Sequence, residues 1–529
     1  MAYSSYVYLL LFLLGTFVIY TILPKKLEWV VLLLSSILFY FATSGKLILF
    51  ILISAMTVFG GALFISRTDS RFADLKGGLE RDERKRLKKR FQRRKKLICY
   101  TTVLLNFGLL IYFKYSGLLA ETANGVLNGL GLGQPFQIKK IIMPLGISFY
   151  TLQAASYLID VYRGKYKASR NPVKVILYLI FFPTVVEGPI SRFDEVDDQL
   201  YPGHKLSYKN VTFGLQLIFW GLFKKLVIAD RADILVKNVF SNYGQYSGII
   251  IILSVLLYTI QIYAEFSGCM DIAVGSAKMF GIDLPQNFRQ PFFSTSVNEF
   301  WRRWHITLGA WLRDYVFYGA SLSGWYKKFT ALIRKHLPEG AVRLLLPMPV
   351  LFLVWFGNGL WHGADIKYIM YGMYYFFITC MGMFFEVPFA KISSKLRIDT
   401  KSRGYRIFQV IRTFILVNIG MLMFRADSLN TAWQMFLSAF KGINLSVFTD
   451  GSLLSLGIDI CDWSIIIFGV ILMLTVDILK EKGVSVRETV SGYNIFIRWG
   501  VYIAAVVLIV VFGAYGANYN PVAFIYAAF

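Results

Sequence analysis

Two histidines stand where chemistry could be done. His362 lies in Asn358-Gly-Leu-Trp-His-Gly-Ala364, between glycines and beside Trp361, inside a strongly apolar stretch. His305 closes Phe300-Trp-Arg-Arg-Trp-His305. The 529-residue chain has only 4 histidines. An imidazole in hydrocarbon surroundings is costly without a polar cavity or a partner. Burial favours the neutral ring, which can take a proton from a hydroxyl. Such general base catalysis is typically worth about 10²–10⁴-fold. Gly359 and Gly363 would let a substrate approach the backbone closely. The residues alone equally allow a structural histidine bonded to a carbonyl. For His305, a helix-packing or interfacial role is open beside a catalytic one. Arg302 and Arg303 could hold donor phosphates or lipid phosphates.

The elements that must position these groups belong to a membrane. Hydrophobic residues make up 56% and charged residues 16%, against roughly 25% charged in soluble domains. Apolar runs able to span about 30 Å recur along the chain. The candidates are 3–23, 27–43, 46–66, 97–118, 172–186, 211–229, 247–268, 342–361, 366–387, 407–424, 462–479 and 497–516. About eleven spans are expected, in one all-α polytopic transmembrane domain over residues 1–529. Gly, Pro and charge interrupt several runs, which suggests re-entrant or broken helices around a cavity. Residues 1–23 lack a basic start and a cleavage-like site, so they read as a retained span.

The net charge of +25 does not imply nucleic acid, because of where it sits. From Arg84 to Lys96, 10 of 13 residues are Lys or Arg, between apolar segments. That cluster, in a loop over 67–96, and the basic loop Lys391–Arg412 belong in the cytoplasm of a multi-pass cell-membrane protein. Three spans precede the first, which places the N-terminus outside. The basic clusters suit anionic lipid headgroups. Docking of an acidic donor protein is the alternative, with Lys224 and Lys225, or Lys327 and Lys328, as candidate contacts.

From Gln261 to Tyr318 the chain is semi-polar and aromatic, too charged for a continuous lipid-exposed helix. It reads as short helices walling a cavity from the cytoplasmic side, with Trp301, Trp304 and Trp311 at the interface. The four cysteines, Cys99, Cys269, Cys380 and Cys461, show no metal spacing and read as buried free thiols. No nucleophile elbow, zinc motif or Walker loop occurs. No repeat is evident, which weakens a transporter reading. A non-catalytic scaffold also remains open.

The block FWRRWHITLGAWLRDY (Phe300–Tyr315), followed by NGLWHGA, resembles the membrane-bound O-acyltransferase family. The branch is that of alginate O-acetylases and teichoic acid D-alanyltransferases. Supporting blocks are PLGISFYTLQAASYLIDVYRG (Pro144–Gly164), FPTVVEGPISRFDE (Phe182–Glu195), QIYAEFSGCMDIAVGSAKMFGIDLPQNFRQPF (Gln261–Phe292) and the terminal FIYAAF (524–529). The resemblance implies a ring of helices around a thin centre with a tunnel. It implies catalytic roles for His362 and His305. Trp361, Asn358, Gly359, Gly363, Trp304, Arg302, Arg303, Arg313, Asp314, Ser267 and Asp271 become supporting or substrate-binding candidates. No bound cofactor or metal is implied. The co-substrate would be a cytoplasmic acyl thioester, acyl-coenzyme A or acyl carrier protein. The acceptor would be a cell-envelope polysaccharide or teichoic acid, with an extracellular SGNH-type acyltransferase as partner. Three departures stand out: Val316–Gly324 replaces a Pro-Leu-Gly-Gly turn, Glu187 a small residue, and Asn358 a glycine.

Overall fold

A computed structural model describes residues 2–137 and 141–515, so the block at 524–529 lies outside it. Among the described residues every regular element is helical. The chain divides into two compact units, where the sequence reads as one domain. One holds Met1–Gly214 and Ala273–Pro285; the other holds Leu215–Ile272 and Gln286–Phe529.

The first unit contains α1 (Val7–Ile22), α2 (Lys25–Ser44), α3 (Ile48–Leu75), α4 (Arg81–Gly129), α5 (Ile147–Arg163), α6 (Pro172–Ile180) and α7 (Phe193–Leu200). Gly45, at φ 54°, breaks the apolar stretch between α2 and α3. At 1.5 Å per residue, the 49 residues of α4 run roughly 73 Å, well past the hydrocarbon. The basic cluster is therefore helix rather than loop. Lys and Arg are good helix formers, Phe91 meets Phe72 of α3 at 5.7 Å, and Lys95 binds Asp69 at 2.7 Å.

The expected span over 172–186 does not form. α6 has only 9 residues and stops at Ile180. Pro183 disfavours helix for the residue before it, and Phe181 leaves the helical region at ψ 113°. Residues 181–190 then run as a fully buried loop. Tyr3 Oη donates to the Phe182 carbonyl at 2.6 Å and Tyr178 Oη to the Ser191 carbonyl at 2.8 Å.

Two helices continue from one unit into the other, α8 (Tyr208–Leu222) and α10 (Ile249–Met279). Between them, in the second unit, a π-helical turn over Phe223–Ala229 leads into α9 (Asp230–Ser241). After α10 come the short α11 (Val297–Arg303) and α12 (Ile306–Trp311), a π-helical turn over Leu312–Phe317, then α13 (Tyr318–Ser321), α14 (Gly324–His336) and α15 (Glu339–Leu345). The long helices resume with α16 (Met348–His362), α17 (Ile366–Lys395) and α18 (Arg403–Arg425). The last are α19 (Leu429–Ser438), α20 (Ile460–Glu481), α21 (Val486–Gly492) and α22 (Ile495–Phe512).

Nine helical stretches among the described residues are long and apolar enough to cross a membrane, besides the shorter Val7–Ile22. One of the nine is the pair α2 and α3, so the expected number of spans is matched closely. The molecule is an all-α polytopic membrane protein. The polar run from Gln261 is corrected in one respect. Its first half lies on the unbroken α10, whose apolar window is 72% buried. Its charges face protein rather than lipid, so no break is needed. Only from Asn287 onward does the chain form the expected short pieces.

Candidate active site

His362 is the last residue of α16 and is 3% exposed. Pro347 and Pro349 flank the start of the helix, where missing N–H groups do no harm. Gly363, extended at φ 174°, ends it. Asp365 then caps α17, its side chain accepting from the Lys367 amide at 2.9 Å. The imidazole meets Phe424 of α18 edge-on at 5.1 Å and Tyr371 of α17 at 5.8 Å. The two flanking glycines are points of close packing. A Cβ on Gly359 would stand 2.5 Å from the Tyr368 carbonyl oxygen. One on Gly363 would strike the Tyr368 ring.

His305 sits between α11 and α12 and is 2% exposed. Its φ of 47° is left-handed, uncommon outside glycine. Asn287 holds the strained corner. Its carbonyl oxygen accepts from the Ile306 amide at 3.0 Å, and its Oδ1 accepts from the Thr307 amide at 3.1 Å and the Thr307 hydroxyl at 2.9 Å. The same Oδ1 lies 3.3 Å from His305 Nδ1. Phe266 of α10 meets the ring edge-on at 4.8 Å. Burial pushes this imidazole down to about 3, so it is neutral at ordinary pH.

Trp361 joins the two histidines. Its ring lies 5.2 Å from His305 and 5.0 Å from His362. Residues 57 positions apart in sequence thus share one indole. Trp304, expected at the interface, is instead 2% exposed, packed against Phe300 at 5.5 Å and Phe288 at 5.1 Å.

The arginines divide. Arg303 is taken up by carboxylates, bridging Glu299 at 2.7 Å and Glu481 of α20 at 2.7 Å, so it is not spare for phosphate. Arg302 is exposed. Arg313 pairs with its neighbour Asp314 at 2.8 Å at the surface.

Ser267 and Asp271 are brought together by a residue the sequence placed elsewhere. Lys224 Nζ donates to Ser267 Oγ at 2.7 Å and lies 2.7 Å from Asp271 Oδ2. Lys225 lies 2.7 Å from Asp230 and 3.0 Å from Glu265. Both lysines are buried, at 4% and 1% exposure, and neither can form a cytoplasmic docking patch. An ammonium this deep is kept only against carboxylates. The available signal was their place inside an apolar run. Lys327 and Lys328 on α14 are exposed. Three cysteines are buried as expected, but Cys461 is exposed on the first turn of α20.

Fold and site define an integral membrane protein with two buried imidazoles, each against the same indole. The model of the membrane-bound O-acyltransferase family matches residues 167–333. His305 falls inside that stretch and His362 beyond it. The chain is 34% identical to the probable alginate O-acetylase AlgI of Pseudomonas syringae pv. tomato over 339 residues, 64% of this chain and 60% of that protein. It is 28% identical to the peptidoglycan O-acetyltransferase of Helicobacter pylori over 378 residues, 66% of each. It is also 28% identical to the teichoic acid D-alanyltransferase of Bacillus subtilis over 299 residues, 54% of this chain and 69% of that one. The chain spans about three fifths of the length of the first of these relatives.

Proposed function

We propose that this protein is a cell-membrane O-acyltransferase, moving an acyl group, most readily acetyl, from a cytoplasmic thioester to hydroxyls of a cell-envelope or secreted polysaccharide. The carrying observation is His362, an imidazole 3% exposed at the end of α16, in the block that resembles the family's active site. It acts as the base. The acceptor O–H gives its proton to His362, the oxygen attacks the thioester carbonyl, the C–S bond breaks, and the thiolate leaves to be protonated. The thioester drives the reaction, so no nucleotide is spent. His305 positions or polarises the donor. Acetyl is favoured over D-alanyl by the higher identity to the alginate relatives. D-alanyl transfer to teichoic acid from a carrier protein is the second reading, supported by the Bacillus relative.

The N-terminus faces outside in this scheme and the basic start of α4 faces the cytoplasm, close to anionic lipid. The donor is acyl-coenzyme A or an acyl carrier protein. An SGNH-type extracellular enzyme completes delivery to the polymer. The test is acylated polymer per amount of inserted protein. His362→Ala should lose at least the ~10²-fold typical of a missing general base. His362→Gln should not rescue it. Wild-type acylation by His362→Ala would instead favour a scaffold.

A further inference from the structure

The seam between α17 and α18 leads away from His362 and holds buried polar atoms without partners. At one end Phe424 of α18 meets His362 and Tyr371 of α17, each at 5.1 Å. One turn on, a side chain at Gly420 would strike the Tyr375 hydroxyl. Tyr374 Oη then donates to the Leu416 carbonyl at 2.7 Å. Further on stand Thr379, about one turn beyond Tyr375, and Thr413, about two turns beyond Gly420. Both threonines are buried, at 6% and 2% exposure, and neither hydroxyl has a hydrogen-bond partner among the described residues. The buried Nε1 of Trp301, whose ring meets Tyr375 at 4.8 Å, has none there either.

The two threonines are exceptions in this chain. A helical threonine can satisfy its hydroxyl on the carbonyl four residues back. Thr43, Thr68, Thr102 and Thr475 do so, at 2.6–2.8 Å. Thr379 and Thr413 forgo that bond inside the protein, where each unmet hydroxyl forfeits its hydration. Such atoms suit water, which both donates and accepts. In the scheme above the loop joining α17 to α18 is cytoplasmic, so both threonines lie between His362 and the cytoplasm.

The transfer itself has a proton to return. The acceptor O–H breaks outside, its oxygen bonds the acyl carbon, the C–S bond breaks, and a thiolate is left inside. The balance is the same whichever hydroxyl takes the acyl group first. If His362 then loses its proton to the outside, each turnover moves one positive charge outward. An inside-negative potential of about 100 mV opposes one such charge about 50-fold. If the proton goes to the thiolate instead, no net charge crosses.

We propose that the α17–α18 seam holds water and carries the acceptor's proton from His362 to the cytoplasm, so that each acyl group leaving is exchanged for one proton entering. The inference rests on the acyl-transfer reading with acetyl as the group, and deepens it. Thr379 and Thr413 position the water; they do not touch the reacting atoms.

The experiment uses right-side-out membrane vesicles of the host carrying the full chain, filled with host cytosol and acetyl-coenzyme A at neutral pH. Esters formed outside are counted after release with mild base, and an impermeant dye follows the outer pH. The wild type should form ester with no acidification outside, and potassium with valinomycin should show its rate indifferent to the potential. Thr379→Val with Thr413→Val should slow transfer, release about one proton outside per ester, and make the rate fall under an inside-negative potential, at most about 50-fold per 100 mV. The double variant should unfold no earlier than the wild type, because it removes two unsatisfied hydroxyls. Purely structural hydroxyls would give the reverse, an earlier unfolding with the proton count unchanged. If the double variant fails to insert, the single valine variants are read in the same way. Outer acidification by the wild type, or a proton count and rate untouched by the valines, overturns the proposal while leaving acyl transfer in place. No ester from the wild type, or as much from His362→Ala, removes the acyl-transfer reading and this inference with it.

Discussion

His305 stands edge-on to Trp361, with ring centroids 5.2 Å apart and planes at 68°. Trp361 in turn precedes His362 on α16 and touches its ring. The two imidazoles therefore communicate through an indole, and a shift of either is felt by the other.

That relationship predicts coupling. Trp361→Ala should lower acyl transfer about 10²-fold, the cost of misplacing a catalytic group by roughly 1 Å. Combined with His305→Ala, the loss should be well short of the product of the single losses. Strict additivity, measured as released ester per inserted protein, would mean that the indole does not link them.

Lys225 should be a stability residue. Its removal leaves Asp230 and Glu265 buried without their cation. Breaking such a pair from one side costs about 3–5 kcal/mol. Lys225→Met should unfold much earlier in detergent than Lys165→Met, which breaks a half-exposed pair with Asp194. Restoring neutrality with Asp230→Asn and Glu265→Gln should recover part of the loss. Equal unfolding temperatures for the two lysine variants would contradict this.

His305 makes stability depend on pH in a definite direction. Burial lowers its imidazole from 6.5 to about 3 in the folded protein. The unfolded chain takes up the proton first. The contribution is thus fully present above about 6.5 and is lost as pH falls towards 3. Each unit in that window weakens the fold by up to about 1.4 kcal/mol. Unfolding of wild type and His305→Gln, each compared at neutral pH and in the acid window, should show the smaller acid loss in the variant. An equal loss would show that His305 is not the group responsible.

Topology is checked by labelling. Arg90→Cys should be closed to an impermeant maleimide in intact cells and open after permeabilisation. Cys461 is exposed and must first be replaced by serine. Labelling of intact cells would invert the orientation.

Much of the frame was legible, for one reason: membrane spans are written in hydropathy. Eleven of the twelve apolar runs became helices. The failure at 172–186 came from Pro183, whose local veto outweighs hydrophobicity. His362 and His305 were legible as rare polar groups in apolar blocks. Their meeting at Trp361 was not, because it depends on how α11 and α16 pack. Lys224 and Lys225 were misread for the same reason. A charge in sequence looks like surface until its carboxylates, up to 47 residues away for Asp271, are seen to fold back onto it. Arg303 was misjudged because Glu481 lies 178 residues beyond it.

The glycines of α16 and α17 bear on how anything reaches His362. Gly359 admits the Tyr368 carbonyl, and Gly372 admits that of Trp355. The two backbones are thus keyed into each other at two points, and neither can slide or roll without collision. The hairpin moves as one stiff piece, with its imidazole fixed to the frame. Any gate that opens and closes beside His362 must then be built from its other neighbours, the corner at His305 or the Phe424 turn of α18. A search for moving parts in this protein begins there.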